Sequence, residues 1–204
     1  MRTMADVTTI TTKTAIMNAA EDAVRKRGYN GFSLDEVAGE VGIQKSSIYY
    51  HFSSKSDLIT ALVRRFSDQI FSFLDDAATT EKRAGDRLMK YLLETRSLIE
   101  EGESICLSVA LNIDQQSLQA KIVDDLLLFH QVNIDWLSQT FELGRQDGSI
   151  RNIGDPVEEA NACLALVDGA QLMARAHQNA ELYDQATCLL RSRIIASAAK
   201  DVTH

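Results

Sequence analysis

The chain has 204 residues, of which 45% are hydrophobic and 25% charged, with a formal net charge of −8. That is enough apolar material for a core in one domain or two small ones, and no run approaches the ~18–20 apolar residues of a membrane helix. Cys106, Cys163 and Cys188 lie far apart, without CxxC spacing or paired histidines, which argues against a zinc centre or disulfide framework and fits a reducing cytoplasm.

In chain order, residues 1–11 are polar and threonine-rich. They lack the hydrophobic segment of a secretory signal and read as a flexible arm. Ala15, Ile16, Ala19, Ala20, Ala23 and Val24 then form one face of a helix that Gly28 should stop. Asn30-Gly31 is a hairpin signal in isolation, but its flanks carry helical rather than alternating patterns, so a strand pair is rejected.

The stretch Phe32–Leu58 is the most structured in its signals. Ser33 can cap a helix, with Glu36 reaching back to complete a capping box and Phe32 and Val37 at the positions of a hydrophobic staple. Leu34, Val37, Ala38 and Val41 share a face, and Gly42 can take the left-handed conformation that ends the helix. A second, very short helix follows. Ile48 and Phe52 should anchor it, leaving Lys45, Ser46, Tyr49 and Tyr50 directed outward. Ser54 then caps a third helix, with Asp57 at its third position. Lys55 in that first turn opposes the helix dipole, an oddity that makes sense if a phosphate docks there. Helix, glycine turn and short exposed helix are the parts of a helix-turn-helix that enters the DNA major groove.

These residues carry a family resemblance. Ala19-Ala20, Gly28-Tyr29, Phe32-Ser33, Val37-Ala38, Val41-Gly42, the string Ser47-Ile48-Tyr49-Tyr50-His51-Phe52, and Lys55-Ser56-Asp57-Leu58 resemble the N-terminal domain of TetR-family (TetR/AcrR) bacterial transcriptional regulators. The match runs from about Thr12 to Phe66; beyond it only length and helical pattern agree. The resemblance implies an all-α homodimer that represses transcription and leaves DNA when a small molecule binds. The expected layout is an arm over 1–11, a three-helix DNA-binding domain over 12–56, and a helical-bundle ligand-binding and dimerisation domain over 57–204. No cofactor, metal or catalytic residue is expected.

Within the motif, Gln44, Lys45, Ser46, Ser47, Tyr49 and Tyr50 are the candidates for base contact, Lys45 toward guanine and Gln44 toward adenine. Ser33, Tyr50, His51 and Lys55 suit phosphate contact, although His51 equally suits capping the turn before Phe52. The negative net charge opposes DNA binding, but its distribution answers part of that. Residues 1–60 hold seven basic and seven acidic groups, so the remaining 14 basic and 22 acidic groups carry the whole −8. Arg25, Lys26 and Arg27 add basic groups near the motif. A neutral reading head predicts a shallow salt dependence.

Further helices are expected over Leu58–Ala77, Gly85–Glu101, Ser104–Asn112 and within Gln116–Leu143, with Gly144 and Gly148 bracketing a loop. Asp155-Pro156 is an N-cap followed by proline at the first helical position, opening helices over Val157–Gln178 and then Asp184–Lys200. Val157, Ala160, Leu164, Val167 and Ala174 repeat at helical spacing, as do Leu189, Ile194, Ile195 and Ala198. The two helices are apolar over more than one stripe, which points to a four-helix dimer interface.

Pocket candidates are Met89, Leu93, Arg96, Cys106, Val109, Phe129, Asn133, Trp136, Leu137 and Met173, which combine aromatic walls with a few polar groups. Arg96 suggests an anionic or carbonyl-bearing effector. Cys106, near a helix start, has two readings: a reactive thiol, as in some relatives with a cysteine at the head of this helix, or a small buried hydrophobe. Rival functions are an enzyme, for which no HExxH, GxSxG or phosphate-loop signature is present, and a DNA-binding adaptor that recruits a protein without sensing a ligand.

Overall fold

The computed structural model describes residues 10–196, so the expected arm lies almost wholly outside the described residues. These residues are all-α, with one isolated antiparallel bridge between Ile150 and Ile194. The helices are α1 (Thr12–Arg27), α2 (Leu34–Val41), α3 (Lys45–His51), α4 (Lys55–Thr80), α5 (Ala84–Ser97), α6 (Leu107–Ile113), α7 (Ala120–Asp147), α8 (Pro156–Ala176) and α9 (Glu181–Arg191), with a 3₁₀ turn at Gln115–Ser117.

Helices α1 to α3 and the start of α4 make a small bundle around Ile16, Ala20, Val24, Ile48, Leu58, Ile59 and Leu62, all fully buried. Helix α4 continues into a second bundle, where α7 packs mainly against α8, α4 and α5, and α9 lies against α8. Apolar contact is continuous between the two parts. Helix α6 bridges them, packing against α1 as well as α4. None of the described helices is long and apolar enough to cross a membrane.

Several boundaries differ from expectation: α5 ends at Ser97 rather than Glu101, and the ends of α7 and α9 differ for packing reasons. Helix α7 does not stop at Leu143 but runs through a buried Gly144 to Asp147, and Gly148 caps it in the left-handed region at φ 68°. Gly144 is required by closeness rather than by a turn, because a Cβ there would meet Ile150 Cδ1 at 2.9 Å. Helix α9 ends at Arg191, well short of residue 200. The chain instead pairs its backbone with the α7–α8 loop: Arg151 N–H donates to the Arg193 carbonyl and Ile195 N–H to that of Ser149, each at 2.8 Å. The Arg193 guanidinium holds both Glu159 oxygens at 2.8 Å. These bonds replace helix continuation, so Ile194 and Ile195 are not on the face of α9. Ala198 lies outside the described residues. Helix α6 starts at Leu107, with Ser104 left buried in the loop before it.

Candidate functional site

The reading head follows from local hydrogen bonding. Ser33 N–H donates to Glu36 Oε2 at 2.9 Å and Glu36 N–H to Ser33 Oγ at 3.3 Å, which closes the capping box. Gly42 sits in the left-handed region at φ 74°, ψ 33°, and the turn presents α3 with Ile48 inward and fully buried. Phe52 closes the same apolar face. Gln44, Lys45, Ser46, Tyr49 and Tyr50 are exposed and Ser47 half-buried. Tyr50 is the most open of them, at 87%. Its ring stands edge-on to His51, centroids 5.1 Å apart, and α3 ends through a backbone bond, Phe52 N–H to the Ile48 carbonyl, rather than through a His51 cap. Lys45 Nζ is held 2.7 Å from Asp35 Oδ2 on α2, at the surface.

Lys55 departs from the expected geometry. Its amino group turns back into the protein, donating to the carbonyls of Tyr29 at 2.7 Å and Phe32 at 2.8 Å. It also lies over both rings, 4.4 and 4.1 Å from their centroids. Burial lowers its pKa. The α1–α2 turn thus supplies, from inside the fold, the partial negative charge that a lysine at a helix start needs. The expected outward phosphate ligand is here an internal strut. Arg25 and Lys26 are occupied too: Arg25 by carbonyls of the α5–α6 loop and Lys26 by Asp22 at 2.9 Å.

The second bundle encloses a small cavity between α4, α5, α7 and α8. Phe66, Ile70 and Phe73 come from α4, Tyr91, Glu94 and Thr95 from α5, and Phe129 and Asn133 from α7. Leu164, Asp168 and Gln171 come from α8, with Leu98, Cys106 and Ser108 at the α5–α6 end. Its free volume is about 20 Å³, room for about one water and no more. A wider groove against α1 and α4 is open to solvent, and its Arg65 already pairs with Glu21 at 2.6 Å.

Of the ten pocket candidates, the fold brings together Cys106, Phe129 and Asn133. Leu93 and Met173 are exposed, at 59% and 53%. Arg96 pairs with Asp184 on α9 at 3.0 Å, which removes the basis for an anionic effector. Trp136 stacks on Tyr91 behind the wall and donates its Nε1–H to the Leu74 carbonyl at 2.9 Å. Val109 and Leu137 are buried and Met89 half-buried, none of them lining the cavity. The lining groups missed in the sequence include two acids, Glu94 and Asp168. Asp168 reads in sequence as one more polar position on α8, yet its carboxylate is buried enough to raise its pKa to about 7.

Cys106 is buried as the residue before α6, its N–H donating to Gln171 Oε1 at 2.7 Å and its Sγ 3.1 Å from Ser108 Oγ. Burial, reinforced by Asp168, pushes the thiol pKa up. This is the buried-hydrophobe environment rather than an activated thiolate.

Cavity and reading head are joined by short links. Arg25 on α1 donates to the carbonyls of Ile105 at 3.0 Å and of Leu98, and to Ser104 Oγ at 3.3 Å. Leu98 and Cys106, the neighbour of Ile105, both line the cavity. Arg175 on α8 reaches the Lys26 carbonyl. Asn30 donates through its backbone N–H to Asp114 Oδ2 at 3.0 Å and through its amide to Asp114 Oδ1 at 2.9 Å.

A helix-turn-helix bundle bolted to a second helical bundle with an internal cavity defines the protein as a DNA-binding transcriptional regulator. Residues 16–62 match the family described as bacterial regulatory proteins, tetR family. The chain is 26% identical over 191 residues to the HTH-type transcriptional repressor NemR of Escherichia coli K12, covering 92% of this chain and 96% of that one. The solved structure of reduced E. coli NemR superposes with a TM-score of 0.76 at 25% identity, over 92% and 98% of the two chains. A TetR-family regulator from Agrobacterium tumefaciens superposes with a TM-score of 0.84 at 27% identity, over 90% and 97%. Residues 16–62 thus carry a TetR-family DNA-binding segment, and over most of its length the chain is similar to transcriptional regulators of that family.

Proposed function

We propose that this protein is a cytoplasmic repressor that binds a palindromic operator as a homodimer and is released by a small molecule entering the α4–α5–α7–α8 cavity. The observation that carries this reading is the Arg25 clamp, which ties the reading head to two backbone carbonyls at the cavity edge. Gln44, Lys45, Ser46, Ser47, Tyr49 and Tyr50 read the major groove, and Ser33, Tyr50 and His51 steady the phosphates. The dimer forms through the outer faces of α8 and α9, where Val157, Leu172, Met173 and Leu189 are exposed. Ala160, Val167 and Ala174, by contrast, are spent on the core of a single chain.

Release follows from the cavity being almost closed. A ligand has to spread Phe66, Ile70 and Phe73 of α4 from α7 and α8 and displace Leu98 and Cys106. It thereby shifts both α4 and the carbonyls that hold Arg25. Two recognition helices must sit roughly 34–36 Å apart to meet successive major grooves, so a tilt of either head breaks register. The ligand shifts the equilibrium only by its preference for the open state.

Footprinting on the DNA upstream of the protein's own gene, at stated salt, tests the reading. The expected result is a protected palindrome with half-sites about one helical turn, or a close multiple, apart. No protection at any salt would remove the operator reading. It would favour the adaptor alternative, for which the exposed Ile113, Leu127 and Leu128 offer an apolar surface.

A further inference from the structure

The cavity's lining has a sign. Glu94 and Asp168 enter it from α5 and α8, and none of its described lining residues is lysine, arginine or histidine. The nearest arginine on α5, Arg96, is drawn away by Asp184. Asp168 itself forms no ion pair or side-chain hydrogen bond with any of the described residues. Asp168 is half-buried, and a carboxylate drawn out of water without a partner is costly, so a positive partner entering beside it would stabilise the site.

Two further groups point inward. Asn133 is 2% exposed and spends its amide N–H on the Phe129 carbonyl. Its Oδ1 accepts no hydrogen bond among the described residues, and the residue lines the cavity. Gln171, 1% exposed, accepts from Cys106 N–H and leaves its own amide N–H groups without a partner among the described residues. Around these stand four aromatic rings, Phe66, Phe73, Tyr91 and Phe129. Aromatic faces attract cations most strongly where water is excluded.

We propose that the effector is a lipophilic organic cation, a protonated amine on an aryl or alkyl body, with its charge against Asp168 and Glu94 and its N–H toward Asn133 Oδ1. The apolar body lies among the aromatic rings. This rests on the reading of the cavity as the effector site and adds the chemical class. It also reverses the anionic effector that Arg96 suggests in the sequence.

The test uses the full-length protein at neutral pH and three probes. These are N,N-dimethylbenzylamine, protonated under those conditions; isobutylbenzene, its uncharged carbon isostere; and phenylacetate, an anion of similar size. Binding is followed by the fluorescence of Trp136, the chain's one tryptophan, stacked 5.7 Å from the cavity-wall Tyr91. The cation should bind at least tenfold tighter than the isostere. Asp168→Asn should lose that tenfold for the cation and leave isobutylbenzene unchanged, and Glu94→Gln, at the half-buried edge, should lose less. If Asp168→Asn fails to fold, Glu94→Gln still has to weaken the cation selectively.

Equal or tighter binding of isobutylbenzene or phenylacetate overturns the proposal. So does a folded Asp168→Asn that keeps cation affinity, or a folded wild type that binds none of the three. Adding each probe to the footprinted complex separates the two readings. A cation that binds yet leaves the operator complex intact removes the effector role while the charge preference stands. Release by isobutylbenzene does the reverse.

Discussion

Arg25 of α1 donates its Nε–H to the backbone carbonyl of Ile105 at 3.0 Å, across 80 residues of chain. The same guanidinium reaches the Leu98 carbonyl and Ser104 Oγ, so one side chain from the reading head gathers both ends of the α5–α6 loop. Because Leu98 and Cys106 line the cavity, movement of its wall is movement of Arg25's partners. Arg25→Met keeps the aliphatic stem and removes the donors. The variant should lose about 1–3 kcal/mol of stability, since the Ile105 carbonyl is left unpaired, while that of Leu98 keeps the Ser104 hydroxyl as donor. It should also respond to effector with a smaller change in operator affinity than wild type. Thermal melts and operator titrations with and without ligand read the two effects, and an unchanged response would rule out the clamp as the link.

Lys55 and Lys45 should separate cleanly. Lys55→Met removes a charged donor from two carbonyls and two aromatic faces, and should cost about 1.5–3 kcal/mol of folding stability. A denaturant titration checks this. A variant as stable as wild type but weakened equally on all DNA sequences would restore Lys55 to the role of a free phosphate ligand.

Lys45 is exposed and tied only to Asp35 at the surface. Lys45→Ala should leave the melting temperature unchanged and weaken the operator complex on the order of tenfold to a hundredfold, with relaxed base preference. Binding to operator and to scrambled DNA at several salt concentrations is the measurement.

Asp168 gives a pH prediction of definite sign. Its ordinary pKa of 3.8 rises to about 7 in the fold through burial, so between those values the folded protein binds more protons than the unfolded chain. Stability from this group therefore falls as pH rises through that window. Glu36, Asp147, Glu159 and Asp184 have lowered pKa values and act in the opposite sense at lower pH. The comparison of wild type with Asp168→Asn isolates the one group. From pH 4 to pH 8 the difference should move in favour of Asp168→Asn by about 2–4 kcal/mol; a flat difference would mean the carboxylate is solvated.

Leu189 is 71% exposed on α9, and Leu172 and Met173 are exposed on α8. If these faces meet a second copy, Leu189→Arg buries an unpaired charge at the contact. Analytical ultracentrifugation should then find monomer for the variant and dimer for wild type. Matching dimers would send the interface elsewhere.

What the sequence by itself determined is whatever its residues decide over one or two turns. The Ser33–Glu36 capping box, the left-handed Gly42, the Ser54 and Asp155 caps, and the Ile48–Phe52 face of α3 are all as read, because each hydrogen bond or contact spans a few positions. The reading head was legible for that reason. Only the tertiary structure decided where longer side chains go. Lys55 and Arg96, both read as facing a ligand, are claimed by groups 23 and 88 residues away, and α9 ends early because Arg193 and Ile195 pair with the α7–α8 loop. The cavity was the least legible part. Only Cys106, Phe129 and Asn133 of the expected lining belong to it, and its acid, Asp168, carries no local signal, since burial arises from the helices that surround it and not from its neighbours in the chain.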